Sequence, residues 1–396
     1  MVGIILLTLL GLFLVLLGIG AIHAFCIGKK AVPLTPAPDI DEDSALQYGQ
    51  HLSELLQCAT VNDPAADGQE TSLAFAKMRK VLEKNYPLSH QAMEQTLVNE
   101  NGVLMHWKGK DPRRGAVVLM SHSDVVPAPG AWTHDPFSGA IADGRVWGRG
   151  AQDTKGSLCA IFEAAESLLA EGFTPPCDVY IVSTDNEETM GNTAPTIVQM
   201  LLDQGVRFEL VSDEGGAIIA NPMPGLHHYF AMLGIVEKGY ANVRFTAKSK
   251  GGHASAPPKN TPLARLAAFV TEVETKNPFT VEISPPVKNM FASLAPYMSF
   301  PYRFIFGNLW LTGPLLKRVM GKISPQGGAM LQTTCAFTMA QGSTAANVIP
   351  QSASITANLR FVMHQPQKES LEIIEALAKK YDLEMDVLYA HDCSSY

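Results

Sequence analysis

The fold is decided by residues 116–124, which read Ala-Val-Val-Leu-Met-Ser-His-Ser-Asp. Their apolar start predicts a buried strand. His122 and Asp124 come at the end of this strand, and because side chains alternate along a strand they lie on the same side. The Asp124 carboxylate can then orient the imidazole. A His-x-Asp pair alone is often a chance pairing, and its place at the end of a buried strand makes it a candidate site.

Two further apolar runs end in acidic residues. Glu187 and Glu188 follow residues 179–184, and Asp213 follows residues 208–212, with helical apolar spacing between the runs. Strands that alternate with helices predict an α/β fold with a mostly parallel sheet covered by helices on both faces. Such sheets bind ligands beyond the carboxyl ends of their strands. The residues predicted to lie at that edge are His122, Glu187, Glu188 and Asp213.

A fourth acidic residue, Asp153, lies in the glycine-flanked loop 150–156 just ahead of a predicted helix. Asp is common there as a helix N-cap or turn residue. Opposite His122, however, its two oxygens can bridge two metal ions about 3.5–4 Å apart. Adjacent Glu187 and Glu188 form either a solvated acidic turn or a pair that a cation holds together. In the second case one binds metal while the other acts as a general base.

A second domain is predicted after residue 236. Its order of strand, helix, two strands, helix and strand is that of a ferredoxin-like βαββαβ unit with an antiparallel sheet. The strands are predicted at 241–248, 333–340, 353–361 and 384–389, and the helices at 262–274 and 367–379. Residues 284–328, rich in Pro, Phe, Met and Trp, are expected to form a long irregular insertion that serves as core, interface or apolar substrate entrance.

The N-terminal residues 2–22 form an uncharged apolar run that is long enough to cross a bilayer. It is either a cleaved signal peptide, which would make the protein secreted, or a retained membrane anchor. No basic residue precedes it and Ile22-His23-Ala24 is a poor cleavage site, so the anchor is favoured, although Gly18-Ile19-Gly20 keeps cleavage open. Lys29 and Lys30 favour a cytoplasmic globular part, and the topology stays open.

These features divide the chain into an anchor or signal segment at 1–30, a proline-containing tether at 31–43, a metal-binding domain at 44–235 and a second domain at 236–392. The net charge of −8, without any basic block, excludes nucleic acid as a partner. Six scattered cysteines without a Cys-x-x-Cys pair indicate neither a zinc ribbon nor a disulfide framework.

Five segments together resemble the aminoacylase and carboxypeptidase S family of di-zinc amidohydrolases. They are Ser121-His-Ser-Asp-Val-Val-Pro127, Trp147-Gly-Arg-Gly-Ala-Gln-Asp-Thr-Lys-Gly156, Asn186-Glu-Glu-Thr-Met-Gly191, Ser212-Asp-Glu-Gly-Gly216 and Lys250-Gly-Gly-His-Ala-Ser255. The likeness runs from about residue 45 to 391. Asn308-Leu-Trp-Leu and Thr333-Thr-Cys-Ala are most similar to the branch of yeast-type carboxypeptidase S and N-fatty-acyl-amino-acid synthase/hydrolase.

The resemblance implies a role for each acidic residue. Asp153 would bridge two zinc ions, His122 and Asp213 would complete one site, and Glu188 would join Asp153 at the other. Glu187 would be the general base that takes a proton from water and returns it to the leaving amine, and Asp124 would steady His122. The resemblance also implies a cis peptide bond between Asp153 and Thr154.

For the second domain the resemblance implies a lid that also forms a homodimer. His253 would reach the substrate carbonyl oxygen, in many relatives across the dimer interface. Asn347 and Arg360 would hold the substrate carboxylate, which the planar guanidinium can bind with two hydrogen bonds. Without the resemblance, His253 is a strand-end histidine and Arg360 a member of a surface ion pair.

One departure from the family concerns the end of the sequence. In the family the chain returns from the lid for a final catalytic segment, which carries the histidine ligand of the Glu188 zinc and a glycine-rich substrate loop. Here the sequence ends after the last predicted strand of the lid, so that ligand is expected to be missing. His391 lies at the end of that strand, in the wrong context to replace it.

The expected function is hydrolysis of an amide next to a free carboxylate, in a peptide or an N-acyl amino acid, by a membrane-anchored zinc enzyme. One alternative is an inactive relative that binds metal or dimerises. Another is a truncated chain without a stable fold of its own, because its sheet would lose edge strands.

Overall fold

The computed structural model describes residues 1–33, 41–63 and 68–394. Its contacts divide the chain into two compact units. The first unit comprises residues 35–215, and the second comprises residues 1–34 together with 216–396. Residues 216–235, which the sequence assigned to the metal-binding domain, thus belong to the second unit. Most of the expected tether lies outside the described residues.

The first unit contains an α/β sheet of five strands in the order β1-β2-β6-β3-β7. Its helices are α2 (Glu42–Leu56), α3 (Gly68–Asn85), α4 (Pro87–Ala92), α5 (Lys155–Ala170) and α6 (Thr193–Asp203), which follow α1 (Val2–Gly28) of the second unit. Its strands are β1 (Glu94–Val98), β2 (Gly102–Trp107), β3 (Ala116–His122), β4 (Ala140–Ala142), β5 (Arg145–Trp147), β6 (Val179–Thr184) and β7 (Phe208–Ser212). β4 and β5 form a separate hairpin.

Three strands of this sheet, β6, β3 and β7, run parallel to one another. β2 pairs with β6 in the antiparallel direction, and β1 pairs with β2 in the same way. Helices cover both faces. Phe162 of α5 lies in one buried cluster with Met105 and Ile181, and Ile197 of α6 lies in another with Val118. In register, His122 lies opposite Thr184, so the carboxyl ends of β3 and β6 share one edge, as predicted.

The apolar spacing of residues 46–61 predicts a helix, and the structure has this helix earlier in the chain, as α2. Its end was misplaced because the residues after Gln57 leave the helix and run beside the end of β3. Thr60 donates its hydroxyl proton to the Ser123 carbonyl at 2.5 Å, and Val125 donates its N–H to the Thr60 carbonyl at 3.0 Å. These contacts support the loop that follows His122.

The second unit contains the expected ferredoxin-like sheet, with strand order β12-β14-β10-β15 and antiparallel pairs throughout. Its strands are β8 (Gly216–Ala220), β9 (Tyr229–Leu233), β10 (Gly239–Lys248), β11 (Gly252–His253), β12 (Thr334–Gln341), β13 (Val348–Ile349), β14 (Ser352–Phe361) and β15 (Glu384–His391). Its further helices are α7 (Pro262–Lys276), α8 (Pro285–Leu294), α9 (Phe300–Gly307), α10 (Leu309–Ile323), α11 (Pro325–Leu331) and α12 (Gln367–Lys380), with a 3-10 helix at Ala295–Tyr297. Phe269 of α7 and Ile374 of α12 are buried in one core with Phe245 of the sheet.

The prediction of an irregular insertion between α7 and β12 is wrong, because this stretch forms the helices α8 to α11. Pro285, Pro301 and Pro325 lie at helix starts, whereas Pro314 lies inside α10. Proline is tolerated in the first turn, where its missing N–H has no helical partner. The helices bury their own cluster of Phe291, Leu316, Met320 and Leu331.

Candidate metal centre

His122 is the last residue of β3 and is almost fully buried, with a side chain 2% exposed. Its Nε2 lies 2.9 Å from Oδ1 of Asp153 and 3.4 Å from Oε2 of Glu214. Asp153 lies in the loop before α5, and Glu214 follows β7. The loop before α5 and the segment after β7 therefore each bring a carboxylate to the imidazole at the end of β3.

Asp124 is fully buried and connects His122 with the acidic pair after β6. The Nδ1 atom of His122 lies 3.0 Å from the backbone oxygen of Asp124 and 3.4 Å from its carboxylate, so the backbone oxygen is the nearer partner. The two carboxylate oxygens accept the backbone N–H groups of Glu187 and Glu188 at 3.1 and 3.0 Å. Asp124 thus orients the imidazole and also fixes the turn that carries both glutamates.

Potential ligand atoms converge in two groups, in each of which they lie within 4.8 Å of one another. The first group is His122, Asp153 and Glu188, and the second is His122, Glu187 and Glu214. Among the described residues Asp213 belongs to neither group, and its neighbour Glu214 lies beside His122 instead. Glu214 was not among the predicted ligands, although its position next to Asp213 after an apolar strand was a signal.

The site holds several carboxylates around a single imidazole, so negative charge is in excess. Burial raises the pKa of Glu187, Glu188 and Glu214, and the surrounding carboxylates raise it further, whereas His122 acts in the opposite direction. For His122, burial lowers the pKa, but the hydrogen bonds to Asp124 and Asp153 and the negative charges of Asp124 and Glu214 raise it to about 10. A divalent cation would relieve this crowding. One imidazole nitrogen with several carboxylate oxygens is a donor set that fits Zn²⁺.

The loop that carries Asp153 is attached to the sheet and to α2. The peptide bond between Asp153 and Thr154 is cis, as the resemblance implied. The Ser121 hydroxyl of β3 donates to the Thr154 carbonyl at 2.9 Å. Lys155 is fully buried and donates to the carbonyl of Cys58 at 2.6 Å, and burial lowers its pKa to about 8. The burial of this lysine was not predicted from the sequence, since a lysine beside a glycine-flanked loop is usually exposed.

The three residues expected to bind substrate lie in the second unit. His253 is in β11, which pairs with β13, and Asn347 accepts the N–H of Ala254 through its backbone oxygen at 2.9 Å. These two exposed residues are therefore neighbours. Arg360 is exposed on β14, where its guanidinium lies 4.5 Å from the centre of the Tyr240 ring.

The fold is one that a class of peptidases shares. Residues 118–383 match the peptidase family M20/M25/M40, and the chain belongs to this family. A probable carboxypeptidase S-like 2 of Dictyostelium discoideum is 34% identical over 81% of this chain and 62% of its own length. The N-fatty-acyl-amino acid synthase/hydrolase PM20D1 of Homo sapiens is 33% identical over 86% of this chain and 68% of its own length. Carboxypeptidase S of Saccharomyces cerevisiae is 29% identical over 89% of this chain and 66% of its own length.

Solved structures confirm the fold. An M20 family metallo-carboxypeptidase from Sulfolobus solfataricus, 18% identical, matches with a TM-score of 0.56 over 87% of this chain and 77% of that chain. The di-peptidase Dug1p of Saccharomyces cerevisiae, 14% identical, matches with a TM-score of 0.56 over 95% of this chain and 81% of that chain. The chain thus has the fold of this hydrolase family and spans roughly two thirds of the length of its curated relatives.

Proposed function

We propose that this chain belongs to a zinc-dependent hydrolase that cleaves an amide bond next to a free carboxylate, in a peptide or in an N-acyl amino acid. The observation that carries the proposal is the convergence of His122, Asp153 and Glu188, with Glu187 beside them, at the carboxyl edge of the parallel strands. Membership of a peptidase family and relatives named carboxypeptidase S and N-fatty-acyl-amino acid synthase/hydrolase support the same class of reaction.

The residues that would hold zinc are His122, Asp153, Glu188 and Asp213. Asp153 would offer two oxygens to zinc, and its side chain is 71% exposed. When bound, zinc lowers the pKa of a water molecule and polarises the substrate carbonyl. Asp124 fixes the position of His122 and of the glutamate turn through the contacts described above.

Glu187 is the proposed general base. Its carboxylate is part of a crowded and partly buried group, and burial raises its pKa toward the pH at which a general base is effective. In the proposed reaction Glu187 takes a proton from the attacking water as the new carbon–oxygen bond forms. It then gives this proton to the amine nitrogen as the carbon–nitrogen bond breaks, so that a carboxylic acid and a free amine are produced.

Arg360 and Asn347 are the proposed ligands of the substrate carboxylate, and His253 is the proposed donor to the substrate carbonyl oxygen. The guanidinium of Arg360 is exposed, and the Tyr240 ring beneath it limits its orientations. The Nδ1 atom of His253 lies 2.8 Å from the Ser255 hydroxyl, which leaves Nε2 available to a substrate. An arginine and a histidine in these roles require a substrate with a free carboxylate and a polar carbonyl.

The Glu187→Gln variant tests this proposal. We expect the wild-type protein to bind zinc and to release free amino acid from N-acyl amino acids or from peptide C-termini. The variant should lose activity by about 10²–10⁴-fold because it cannot transfer the proton. Its zinc content should stay unchanged, since Glu187 is not among the proposed ligands. Metal analysis and an amine-release assay measure the two quantities.

The control is Glu171→Gln, which removes an exposed carboxylate at the end of α5 and should leave turnover unchanged. A folded wild-type protein that binds zinc and releases no amino acid from either substrate class would contradict the proposed activity. That result would instead favour a metal-binding protein without catalysis.

The proposed location is a membrane, with α1 retained as an anchor. α1 is long and apolar enough to cross a bilayer, and it is the one such helix in the described part of the chain. Its contacts with the rest of the second unit support retention, because a signal peptide that is removed makes no lasting contact with the mature protein. Mass spectrometry should find the N-terminus uncleaved, and a protein that starts after Gly20 or Ala24 would contradict this assignment.

A further inference from the structure

The C-terminal half of α1 packs against the helices between α7 and β12 with one face only. Every residue from 1 to 15 is exposed, whereas Gly20 and Ala24 are buried. Gly20, Ala24 and Gly28 recur at every fourth position, so they lie along one line of the helix. Small residues at this spacing allow two helices to approach closely, as they do in transmembrane helix pairs.

Side chains of α9 occupy the space beside these small residues. A Cβ atom added at Gly20 would lie 2.9 Å from the Phe304 ring, and one added at Gly28 would overlap the Arg303 guanidinium. In the other direction, a Cβ atom added at Gly307 would lie 2.7 Å from Ile27. Larger residues at these glycines would therefore separate α1 from α9.

A buried amide provides a second, independent connection between the two parts. Asn308, fully buried between α9 and α10, donates through Nδ2 to the carbonyl of Gly20 at 3.0 Å, and its Oδ1 lies 2.9 Å from Nδ1 of His23. The same oxygen accepts the indole N–H of Trp310 at 3.1 Å. A buried amide is costly unless it is hydrogen-bonded. These bonds therefore favour one register of α1 on the helices α8 to α11, called the insertion helices below.

This contact lies near the end of the part of α1 that would cross a bilayer. Residues 2–22 carry no charge, and about 20 helical residues cross the hydrocarbon core. Gly20 comes two residues before the end of this run, which is about 3 Å along a helix that rises about 1.5 Å per residue. The end of α9 and the start of α10 are thus at the depth where hydrocarbon meets the headgroups.

The insertion helices have the surface that this depth requires. Phe300, Trp310 and Leu315 are 47%, 54% and 63% exposed. Single exposed apolar residues are common on soluble proteins, but these lie on helices that contact an apolar anchor. The sequence has no acidic residue from 283 to 368, and the charged residues of α9 and α10 are all basic: Arg303, Lys317, Arg318 and Lys322. The first half of α10 is uncharged, and its second half carries the three basic residues of that helix.

We propose that α9 and α10 form a membrane-binding surface that lies in the headgroup layer of the bilayer that α1 crosses. Phe300, Trp310 and Leu315 contact the acyl chains, as aromatic and aliphatic residues of interfacial helices do. The basic residues of α10 contact anionic lipid phosphates. The second unit is then attached to the membrane at two places rather than by a single anchor. This inference rests on the proposed membrane attachment through α1 and goes beyond it.

The test uses the full chain reconstituted into vesicles of phosphatidylcholine and phosphatidylserine. The chain has four tryptophans. The fluorescence of Trp310 is therefore obtained by subtracting the spectrum of the Trp310→Phe variant from that of the wild-type protein. We expect phosphatidylcholine brominated on its acyl chains to reduce the Trp310 signal at least twofold relative to unbrominated lipid. Direct contact with bromine is required for such quenching, so the signal reports the position of this residue.

A matched pair of variants tests whether α1 holds the surface in place. Gly20→Leu places a large side chain against Phe304, whereas Gly18→Leu adds the same side chain where no atom lies within 4 Å. Both raise the apolarity of α1 equally. We expect Gly20→Leu to lose at least half of the quenching and Gly18→Leu to retain it. Asn308→Leu, which removes the amide contacts, should behave as Gly20→Leu, and circular dichroism checks that each variant is folded.

Flotation of the vesicles on a density gradient distinguishes the possible failures. If the wild-type protein does not float with lipid, both the anchor and the membrane-binding surface are refuted. If it floats but bromine leaves Trp310 unquenched, the surface alone is refuted and the anchor stands. If Gly20→Leu and Asn308→Leu both retain full quenching, α1 does not position the insertion helices and the proposal is wrong in that respect.

Discussion

Asp213 and Glu214 are adjacent carboxylates that follow β7, and they are the two candidates for one ligand of the proposed zinc site. The resemblance implies Asp213, whereas the structure has Glu214 3.4 Å from Nε2 of His122. Asp153, a proposed zinc ligand, lies 2.9 Å from the same nitrogen, so a contact with the imidazole does not by itself separate a metal ligand from an ion-pair partner. Asp213 remains the proposed ligand because the resemblance implies it.

Two single substitutions distinguish these carboxylates. We expect Asp213→Asn to lower the zinc content of the purified protein by about one ion per chain, because a neutral amide is a poor zinc ligand. Glu214→Gln, the matched control, should leave the zinc content unchanged. Metal analysis after dialysis measures both. The opposite outcome, with zinc lost only in Glu214→Gln, would assign the site to Glu214.

The contacts of Asp124 were predicted only in part from the sequence. Its place two residues after His122 on a strand predicted the contact with the imidazole. The sequence did not predict that its carboxylate accepts the N–H groups of Glu187 and Glu188, which follow another strand. Contacts between neighbouring strands depend on the order of the strands in the sheet, and no local pattern contains that order.

Among the helices, α7 and α12 are connected through Glu272. The Glu272 carboxylate of α7 accepts hydrogen bonds from Lys380, the last residue of α12, and from Tyr381, which follows it. It also accepts one from Lys276 of α7. The hydrogen bonds of Lys380 and Tyr381 lower the pKa of Glu272 to about 2, below its usual value near 4.5. A carboxyl whose pKa is lower in the folded state stabilises the fold above the unfolded pKa, and this contribution is lost as the pH falls through the folded pKa.

The Glu272→Gln variant should therefore be less stable than wild type above about pH 4.5. We expect the difference in melting temperature between the two proteins to decrease as the pH falls toward 2. Circular dichroism melts across this range measure it, and only the difference is interpreted because other carboxyls also titrate. The control is Glu375→Gln, at a half-buried carboxylate that pairs with Lys379 of the same helix, and it should show a smaller difference. A difference for Glu272→Gln that does not change with pH would contradict the assignment.

Gly109 allows the segments after β2 and before β6 to approach each other. A Cβ atom at this position would overlap the backbone of Cys177. We expect Gly109→Ala to lower the free energy of unfolding by about 1–3 kcal/mol, the usual cost of overpacking. Gly49→Ala is the contrast. Gly49 lies inside α2, and a Cβ atom at this position would make an ordinary contact with Val146 at 3.6 Å. This variant should raise the free energy of unfolding by up to about 1 kcal/mol, because alanine favours helix over glycine.

The two free energies can be measured by urea denaturation followed by tryptophan fluorescence. If Gly109→Ala were as stable as wild type, the close approach of these two segments would be wrong. If both variants were destabilised equally, the effect would come from loss of glycine in general rather than from the contact with Cys177.

For the molecule as a whole, we propose a homodimer formed through the edge of the ferredoxin-like sheet at β12. This strand pairs only with β14 in the described residues, and Met339 on it is 61% exposed. Leu263 of α7 is also exposed and lies beside Gly342, just after the same strand. An open strand edge next to exposed apolar residues is a surface that commonly pairs with another chain.

Met339→Lys should therefore convert the dimer into a monomer, because a charged residue on an edge strand opposes pairing. Analytical ultracentrifugation of the detergent-solubilised protein measures the mass. The control is Val387→Lys on β15, the strand at the opposite edge of the same sheet, which should leave the dimer intact. Dissociation by Val387→Lys alone would move the interface to β15, and a monomeric wild type would refute the dimer.

The local patterns of the chain were sufficient to predict its two main sheets and most of the strands in them, because apolar runs with polar ends are properties of neighbouring residues. They also predicted that His122 and Glu188 would lie at one edge, since parallel strands bring their carboxyl ends together, whereas Asp153 was placed beside them by the resemblance. Tertiary structure alone decided that Glu214 lies beside His122, that Lys155 is buried and that α1 packs on α9. Each of these depends on which distant segments become neighbours, and that is determined by packing rather than by local sequence.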